Sequence, residues 1–293
     1  MAERLVISGA SGHLGRRVAE LALANVAPER LILVTRTPDA LVDLVARGVT
    51  VRSGDFAEPA SLRSAFAGGQ RLLLVSATDL ERRVEQHRGA IDAARAAGVK
   101  HVIYTSGLAP QPPNPAVVAP SHYATEQALA SSGMAWTVLR NSLYADYQIS
   151  EARQAIAAGA LVHNRGSGKA AYVAREDCAA VAAAVLVRGG HQGAVYDVTG
   201  PEAFSAADLA ALYAELGGRR VEIRSLDDAA FVAALVGSAT GDDHLRYGAE
   251  LVASFGRSIR EGYMQSCTDT VARITGRPAT PLRQVLAPII RRA

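Results

Sequence analysis

Three glycines spaced three apart, Gly9, Gly12 and Gly15, separate an apolar run, Leu5, Val6 and Ile7, from Leu14, Val18, Leu21 and Ala22 at helical spacing. The apolar period changes from 2 to 3.6 at the glycines, which predicts a strand, a tight turn and a helix. The first N–H groups of such a helix face the turn. With the helix dipole they form an anion site suited to a dinucleotide pyrophosphate. Gly9 lets the chain turn, Gly12 lets backbone approach a phosphate with no Cβ in the way, and Gly15 lets helix pack on strand. Ser11, His13 and Leu14 fill the turn between them.

Strand and helix patterns then alternate. Strands are predicted at 31–34, 49–51, 72–75, 102–104 and 137–139, and helices at 38–47, 62–67, 80–97 and 121–131, with a Pro-rich loop over 110–120. Repeated units of this length imply a doubly wound parallel α/β sheet of Rossmann type with right-handed crossovers. Ligands of such sheets sit at the carboxyl ends of the strands, so the residues there are the candidates.

After the second strand stands Arg36, where a site that reads ribose hydroxyls keeps an acidic residue. An arginine instead suits the 2′-phosphate of NADP. Asp55 and Phe56 follow the third strand, on the adenine side. Ser76, Ala77 and Thr78 follow the fourth, beneath pyrophosphate and ribose. Thr105, Ser106 and Gly107 follow the fifth, and Asn141, Leu143 and Tyr144 the sixth. Hydroxyls at strand ends are also ordinary turn chemistry.

At 293 residues and 49% hydrophobic, the chain can fill a large core and an appended smaller lobe. The expected division is 1–142 plus 165–200 for a cofactor-binding domain and 143–164 plus 201–293 for a substrate lobe. The net charge is +3 and the arginines occur as scattered pairs, among them Arg16-Arg17 and Arg291-Arg292, which argues against a nucleic-acid footprint. No apolar run reaches the ~18–20 residues of a membrane span. Cys178 and Cys267 fit no metal spacing and read as reduced packing residues of a cytoplasmic protein. Aromatic content is 5%, so Tyr247, Phe255 and Tyr263 draw attention: they form either a wall over a planar substrate or the lobe's own core.

Several motifs together resemble the NmrA-like branch of atypical short-chain dehydrogenases, in particular quinone and triphenylmethane dye reductases. They are the glycine turn from Gly9 to Gly15, Gln86-His87-Arg88, Tyr104-Thr105-Ser106, His122-Tyr123-Ala124-Thr125-Glu126, Arg140-Asn141 and Arg175-Glu176-Asp177. The resemblance runs from Leu5 to about residue 230. It implies an NADPH-binding Rossmann domain and hydride transfer to a quinone, an aromatic ketone or a conjugated cation. A ketoreductase acting on a polycyclic secondary metabolite would use the same site. Some relatives of this kind bind dinucleotide as redox sensors without turnover, which is the alternative reading.

One departure bears on mechanism. Many short-chain dehydrogenases pair Tyr with Lys four residues on, and the lysine helps the phenol release its proton. Here Tyr123 is followed at that spacing by Gln127, which supplies no charge but suits a ribose hydroxyl. The serine position falls at Ser106 or Gly107. Tyr123 and Ser106 are the catalytic candidates, although Tyr123 also reads as a tyrosine that covers the cleft. Gly107, His122, Tyr123, Tyr144 and Tyr147 are assigned to the substrate side. His87 reads as a satisfied core residue, Tyr172 as packing or a cleft wall, and Asp177 as a helix cap. An epimerase or dehydratase would need the intact Tyr–Lys pair.

Overall fold

A computed structural model describes residues 3–237 and 242–290. Arg291 and Arg292, and most of the Gly- and Ser-rich stretch after Gly237, lie outside them. The central sheet contains β1 (Leu5–Ser8), β2 (Leu31–Thr35), β3 (Thr50–Ser53), β4 (Arg71–Leu74), β5 (His101–Gly107), β6 (Ala135–Asn141) and β8 (Ala194–Val198). Its order is β3-β2-β1-β4-β5-β6-β8 and every pairing is parallel. Strand order reverses at β1, whose neighbours are β2 and β4. A crevice opens there at the carboxyl ends of the strands.

Buried β1 and β2 are apolar along their length because both faces of the sheet are covered. On one face, Ile7, Leu33, Ile103 and Leu139 pack against α1 (His13–Ala22), α7 (Arg175–Arg188) and α11 (Thr270–Thr275). On the other, Val6, Ile32, Leu72 and Tyr104 pack against α3 (Pro59–Phe66), α4 (Arg83–Ala96) and α5 (Ala119–Ala130). The expected helix at 38–47 is instead a 3-10 turn at Pro38–Leu41 and one α-turn, α2 (Val42–Val45). Leu41 and Leu44 are buried there while Val42 and Val45 face solvent, so only one turn's worth of apolar anchoring exists.

A second body carries α6 (Gln148–Ala158), α8 (Ala206–Gly217), α9 (Asp228–Val236), α10 (Asp243–Arg260), α12 (Leu282–Ile290) and a two-stranded parallel sheet of β7 (Ala160–His163) and β9 (Glu222–Ser225). Its core gathers Leu161, Tyr172, Leu209, Tyr213 and Leu286. Tyr172 is therefore packing, and its hydroxyl accepts from Arg165 at 3.0 Å. Tyr247, Phe255 and Tyr263 belong to none of the buried clusters; Tyr247 is exposed and the other two half-buried. Among the described residues, then, these aromatics do not form the centre of the lobe's core.

Asp177 departs from expectation. It is fully buried and does not cap α7, whose N-cap is Ala174. Its carboxylate accepts from Arg277 at 2.6 Å, from the Thr280 N–H at 2.6 Å and from the Thr280 hydroxyl at 3.1 Å. It thereby fastens the segment after α11 to α7. Cys178 is buried as expected, but Cys267 is exposed, its thiol donating to the Gln265 carbonyl at 3.8 Å.

Candidate active site

The glycine turn has the geometry its spacing demands. Gly9 takes φ +61°, which an L side chain rarely adopts. Gly12 is exposed and serves as N-cap of α1 without a side-chain cap, so the first N–H groups of α1 are left to an anion. A Cβ on Gly12 would meet only the Gly9 carbonyl oxygen, at 3.3 Å, and would project into the cradle. Ser8 stitches the switch point from below: its hydroxyl donates to the Leu73 carbonyl and accepts from the Val75 N–H, both at 3.1 Å.

Beside the cradle lies a cluster of hydroxyls. Ser11 and Thr35 are 2.6 Å apart, and the Thr37 hydroxyl donates to Ser11 Oγ at 3.2 Å. Arg36 rises next to them. It is exposed and makes neither ion pair nor hydrogen bond with a described residue, whereas neighbouring Arg16 and Arg17 are held by Asp43 and Glu176. These residues fit a phosphorylated ribose: a free guanidinium over a set of hydroxyl donors. Further along, Asp55 accepts from the Ala57 N–H at 2.9 Å, and the Phe56 ring meets His87 edge-on at 6.2 Å.

The loop after β4 is positioned from underneath. The Ala77 N–H donates to His87 Nε2 at 2.9 Å, so the neutral ring keeps its proton on Nδ1 and donates it to Thr125 Oγ1 at 2.9 Å. The Ser76 N–H donates to Thr105 Oγ1 at 2.9 Å. Burial, helped by the nearby Arg83 charge, lowers the pKa of His87 to about 3. His87 is the satisfied core histidine that the sequence suggested. Thr78 projects outward at the rim.

Thr105, Ser106, Gly107 and Asn141 prove to be the last residues of β5 and β6 themselves, strands longer than the apolar runs alone indicated. Ser106 is buried and donates to Glu126 Oε1 at 2.7 Å; Glu126 in turn forms a two-pronged pair with Arg140 at 3.0 and 2.6 Å. Its hydroxyl is thus committed to a buried ion pair. Glu126 holds the Arg140 pKa above its ordinary value, with lesser contributions from Asp197 and the Tyr123 phenol. Tyr123 is half-buried on α5, and Gln127 one turn on is exposed, its side chain making no hydrogen bond to a described residue.

On the lobe side, Tyr144 accepts from Asn141 Nδ2 at 3.3 Å, while Asn141 Oδ1 is buried with no partner, a vacant acceptor at the end of β6. Tyr144 and Tyr147 lie 6.1 Å apart, and the Arg175 guanidinium stacks over both, at 5.2 and 5.6 Å from their centroids. Leu143 is half-buried against the lobe core. His122 is almost fully buried. It receives Arg83 at Nε2 (3.4 Å) and its Nδ1 donates to the Tyr104 hydroxyl at 2.7 Å. Burial, and then the Arg83 charge, lower its pKa to about 3.

A family model described as NAD(P)H-binding matches residues 9–188, a span that includes the cradle, the strand ends and α5. The chain belongs to the NAD(P)H-binding family. Within it, the chain is 35% identical to quinone oxidoreductase 2 of Escherichia coli (strain K12), over 96% of each chain. The structure of that Escherichia coli NADPH-dependent quinone oxidoreductase complexed with NADPH superposes with a TM-score of 0.91 at 34% identity, covering 97% of this chain and 99% of the other. The Citrobacter sp. triphenylmethane reductase complexed with NADP(H) gives 0.89 at 31% identity, covering 98% and 99%. The Rossmann-type architecture and the resemblance to quinone and dye reductases are both borne out.

Among NAD(P)H-binding chains of this fold, two contributors here escape a reading of strand ends. Arg83 and Glu126 come from a helix start and a helix interior; Arg140 does follow the expected sixth strand, but its pairing was not visible there. Glu126 and Arg140 did stand inside two of the quoted motifs, but only the fold shows that they pair with each other.

Proposed function

We propose that this chain is an NADPH-dependent reductase that delivers hydride to a quinone or a polycyclic aromatic carbonyl. One observation carries the reading. A glycine cradle and a free Arg36 share one switch point, in a chain that matches a quinone oxidoreductase over 96% of its length. The backbone around Ser11, Gly12, His13 and Leu14 receives the pyrophosphate, and Arg36 with the Ser11 and Thr35 hydroxyls receives the 2′-phosphate. Asp55 and Phe56 flank the adenine, and Ser76, Ala77 and Thr78 support pyrophosphate and ribose. Gln127 faces the nicotinamide ribose, with Thr105, Asn141 and Leu143 around the ring; the vacant Oδ1 of Asn141 suits a carboxamide N–H.

When bound, NADPH supplies the hydride. The chain's own part is positioning: Gly107 has no Cβ and so leaves room for the His122 ring beside β5, and Tyr144, Tyr147 and Arg175 form a flat, cationic edge for an aromatic acceptor. Quinone-like acceptors spread the incoming charge, so the missing lysine beside Tyr123 is tolerable. The exposed or half-buried Tyr247, Phe255 and Tyr263 suit an outer wall over such a ring.

We assign the cofactor to 1–142 plus 165–200 and the substrate to 143–164 plus 201–293, with α11 as the part of the latter that leans on α7. Among the described residues no helix is long and apolar enough to cross a membrane. Both thiols are unpaired, which suits a reducing cytoplasm, and many of the arginines are taken up by ion pairs rather than arrayed for nucleic acid.

The test is NADPH oxidation followed at the nicotinamide absorbance with a panel of quinones, aromatic ketones and a triarylmethane dye. Turnover with at least one planar acceptor supports the reading. Gln127 in place of a lysine favours one competitor, a dinucleotide-binding redox sensor, and tight NADPH binding with no turnover on the whole panel would establish that instead.

A further inference from the structure

A cation without a counter-charge stands at the edge of this cleft. Arg83 opens α4 and is 7% exposed, yet no described carboxylate lies within ion-pair distance of it. Its Nε donates to the Ala77 carbonyl at 2.8 Å; Nη1 donates to Ser121 Oγ at 3.3 Å and to His122 Nε2 at 3.4 Å. These anchors are all neutral. Nη2 makes no hydrogen bond to a described residue and is not sealed from solvent. The Tyr104 and Tyr247 phenols and Asp79 oppose the effect of burial on its pKa, without any contact that neutralises it. A guanidinium stays charged in proteins, and charges buried without a partner are costly enough to mark function.

Its position is set by two segments of the cleft: Ala77 in the loop after β4, and Ser121 and His122 on α5, His122 standing one residue before Tyr123. Tyr247, on α10 of the lobe, acts on it electrostatically. The His122 ring closes the gap beside β5, where a Cβ on Gly107 would meet it at 3.2 Å. The cation thus sits between the loop assigned to the cofactor and the wall assigned to the acceptor.

We propose that Arg83 is the anion-receiving residue of the substrate cleft: it binds the acceptor oxygen that gains negative charge and selects quinones whose ring already carries an ionised hydroxyl. In the reaction, hydride brings two electrons from NADPH to the acceptor, the carbonyl π pair moves onto oxygen, and that oxygen then takes a proton from water. NADPH is oxidised, the quinone is reduced, and no other reactant is needed. Nη2 aimed at that oxygen acts as a charged oxyanion donor, strongest after the hydride has moved. Ser121, His122 and the Ala77 carbonyl hold the fork in place.

This inference rests on the reductase reading, and its decisive measurement needs no turnover. Calorimetric titration of the NADP+-bound protein compares 2-hydroxy-1,4-naphthoquinone, an anion at neutral pH, with its neutral 2-methoxy ether. The wild type should bind the anion at least about tenfold more tightly. Arg83→Gln should bring the two within about threefold while leaving NADPH affinity in place, and Arg83→Lys should restore part of the preference. On the neutral ether, Arg83→Gln should lower kcat by about 100-fold. A residue that merely braced the loop would weaken both ligands alike. Absence of anion preference in the wild type overturns the proposal even if no variant folds, and so does a preference that survives in Arg83→Gln. Anion capture without NADPH oxidation would overturn the reductase reading and leave Arg83 assigned.

Discussion

Gly15 packs on Gly9 so closely that a Cβ at position 15 would come within 2.4 Å of the Gly9 carbonyl oxygen, whereas one at position 12 would lie 3.3 Å from the same atom. The two glycines therefore fail differently. Gly15→Ala pushes α1 off β1 and should cost about 1–3 kcal/mol of stability. Gly12→Val should keep the fold and abolish dinucleotide binding, because its branch occupies the cradle. Thermal melts and NADPH titration of both variants check the pair. A folded Gly12→Val protein with wild-type NADPH affinity would place the cofactor elsewhere.

Arg36 has no partner among the described residues, so removing it breaks no contact of the described fold. Arg36→Ala should weaken NADPH about 10- to 100-fold, the worth of a charge-assisted phosphate contact, and leave NADH nearly unchanged. Equal losses for both cofactors, measured by titration, would rule out a 2′-phosphate contact.

Tyr123 lies within the field of Arg140, but that guanidinium is already spoken for by Glu126. Tyr123→Phe should lower kcat on a quinone by no more than about tenfold, short of the ~10²–10⁴ lost with a true general acid. The loss should be larger on a simple ketone, whose alkoxide cannot delocalise charge. A drop of several thousandfold on the quinone with NADPH binding intact would restore Tyr123 as the proton donor.

The buried imidazoles give stability a pH dependence. Burial lowers the pKa of His87 and of His122 to about 3 and that of His101 to about 4, against about 6.5 in an unfolded chain. Below about pH 6.5 the unfolded chain binds protons that the folded one refuses, so stability falls as pH falls, by up to about 1.4 kcal/mol per pH unit for each such histidine. Urea unfolding at pH 7.5, 6.5 and 5.5 should show a midpoint that drops toward acid. A midpoint constant across that range contradicts neutral burial of these rings.

Local signals made the nucleotide half readable. The glycine turn, the apolar strands and the residues at their ends all act within a few positions of one another, so the turn and the strands fell within a residue or two of the pattern at their starts, while β5 and β6 ran on to take in residues expected beyond them. What stayed hidden was set by distant partners. Asp177 looked like a cap because its partners stand 100 and 103 residues away, and Ser106 looked free because its partner Glu126 is on another element. Arg83 looked like one of many surface arginines because only the fold buries it. The helix expected after Pro38 shrank because two buried leucines anchor a turn, not a helix.

The pairing of β7 with β9 joins Ala160 to Glu222 across β8, a strand of the other sheet, and Asp177 closes only on Arg277 and Thr280. During synthesis the first five strands have their neighbours early, since each pairs with a strand made soon before or after it. The lobe has no such luck: β7 emerges and must wait, unpaired and apolar, until β9 is made. Contacts so far apart in sequence slow folding and lengthen the time an edge is open to other chains. The lobe therefore adds an aggregation-prone moment late in the making of this protein, and the strand at risk then is β7, which has no neighbour on either edge until β9 is made.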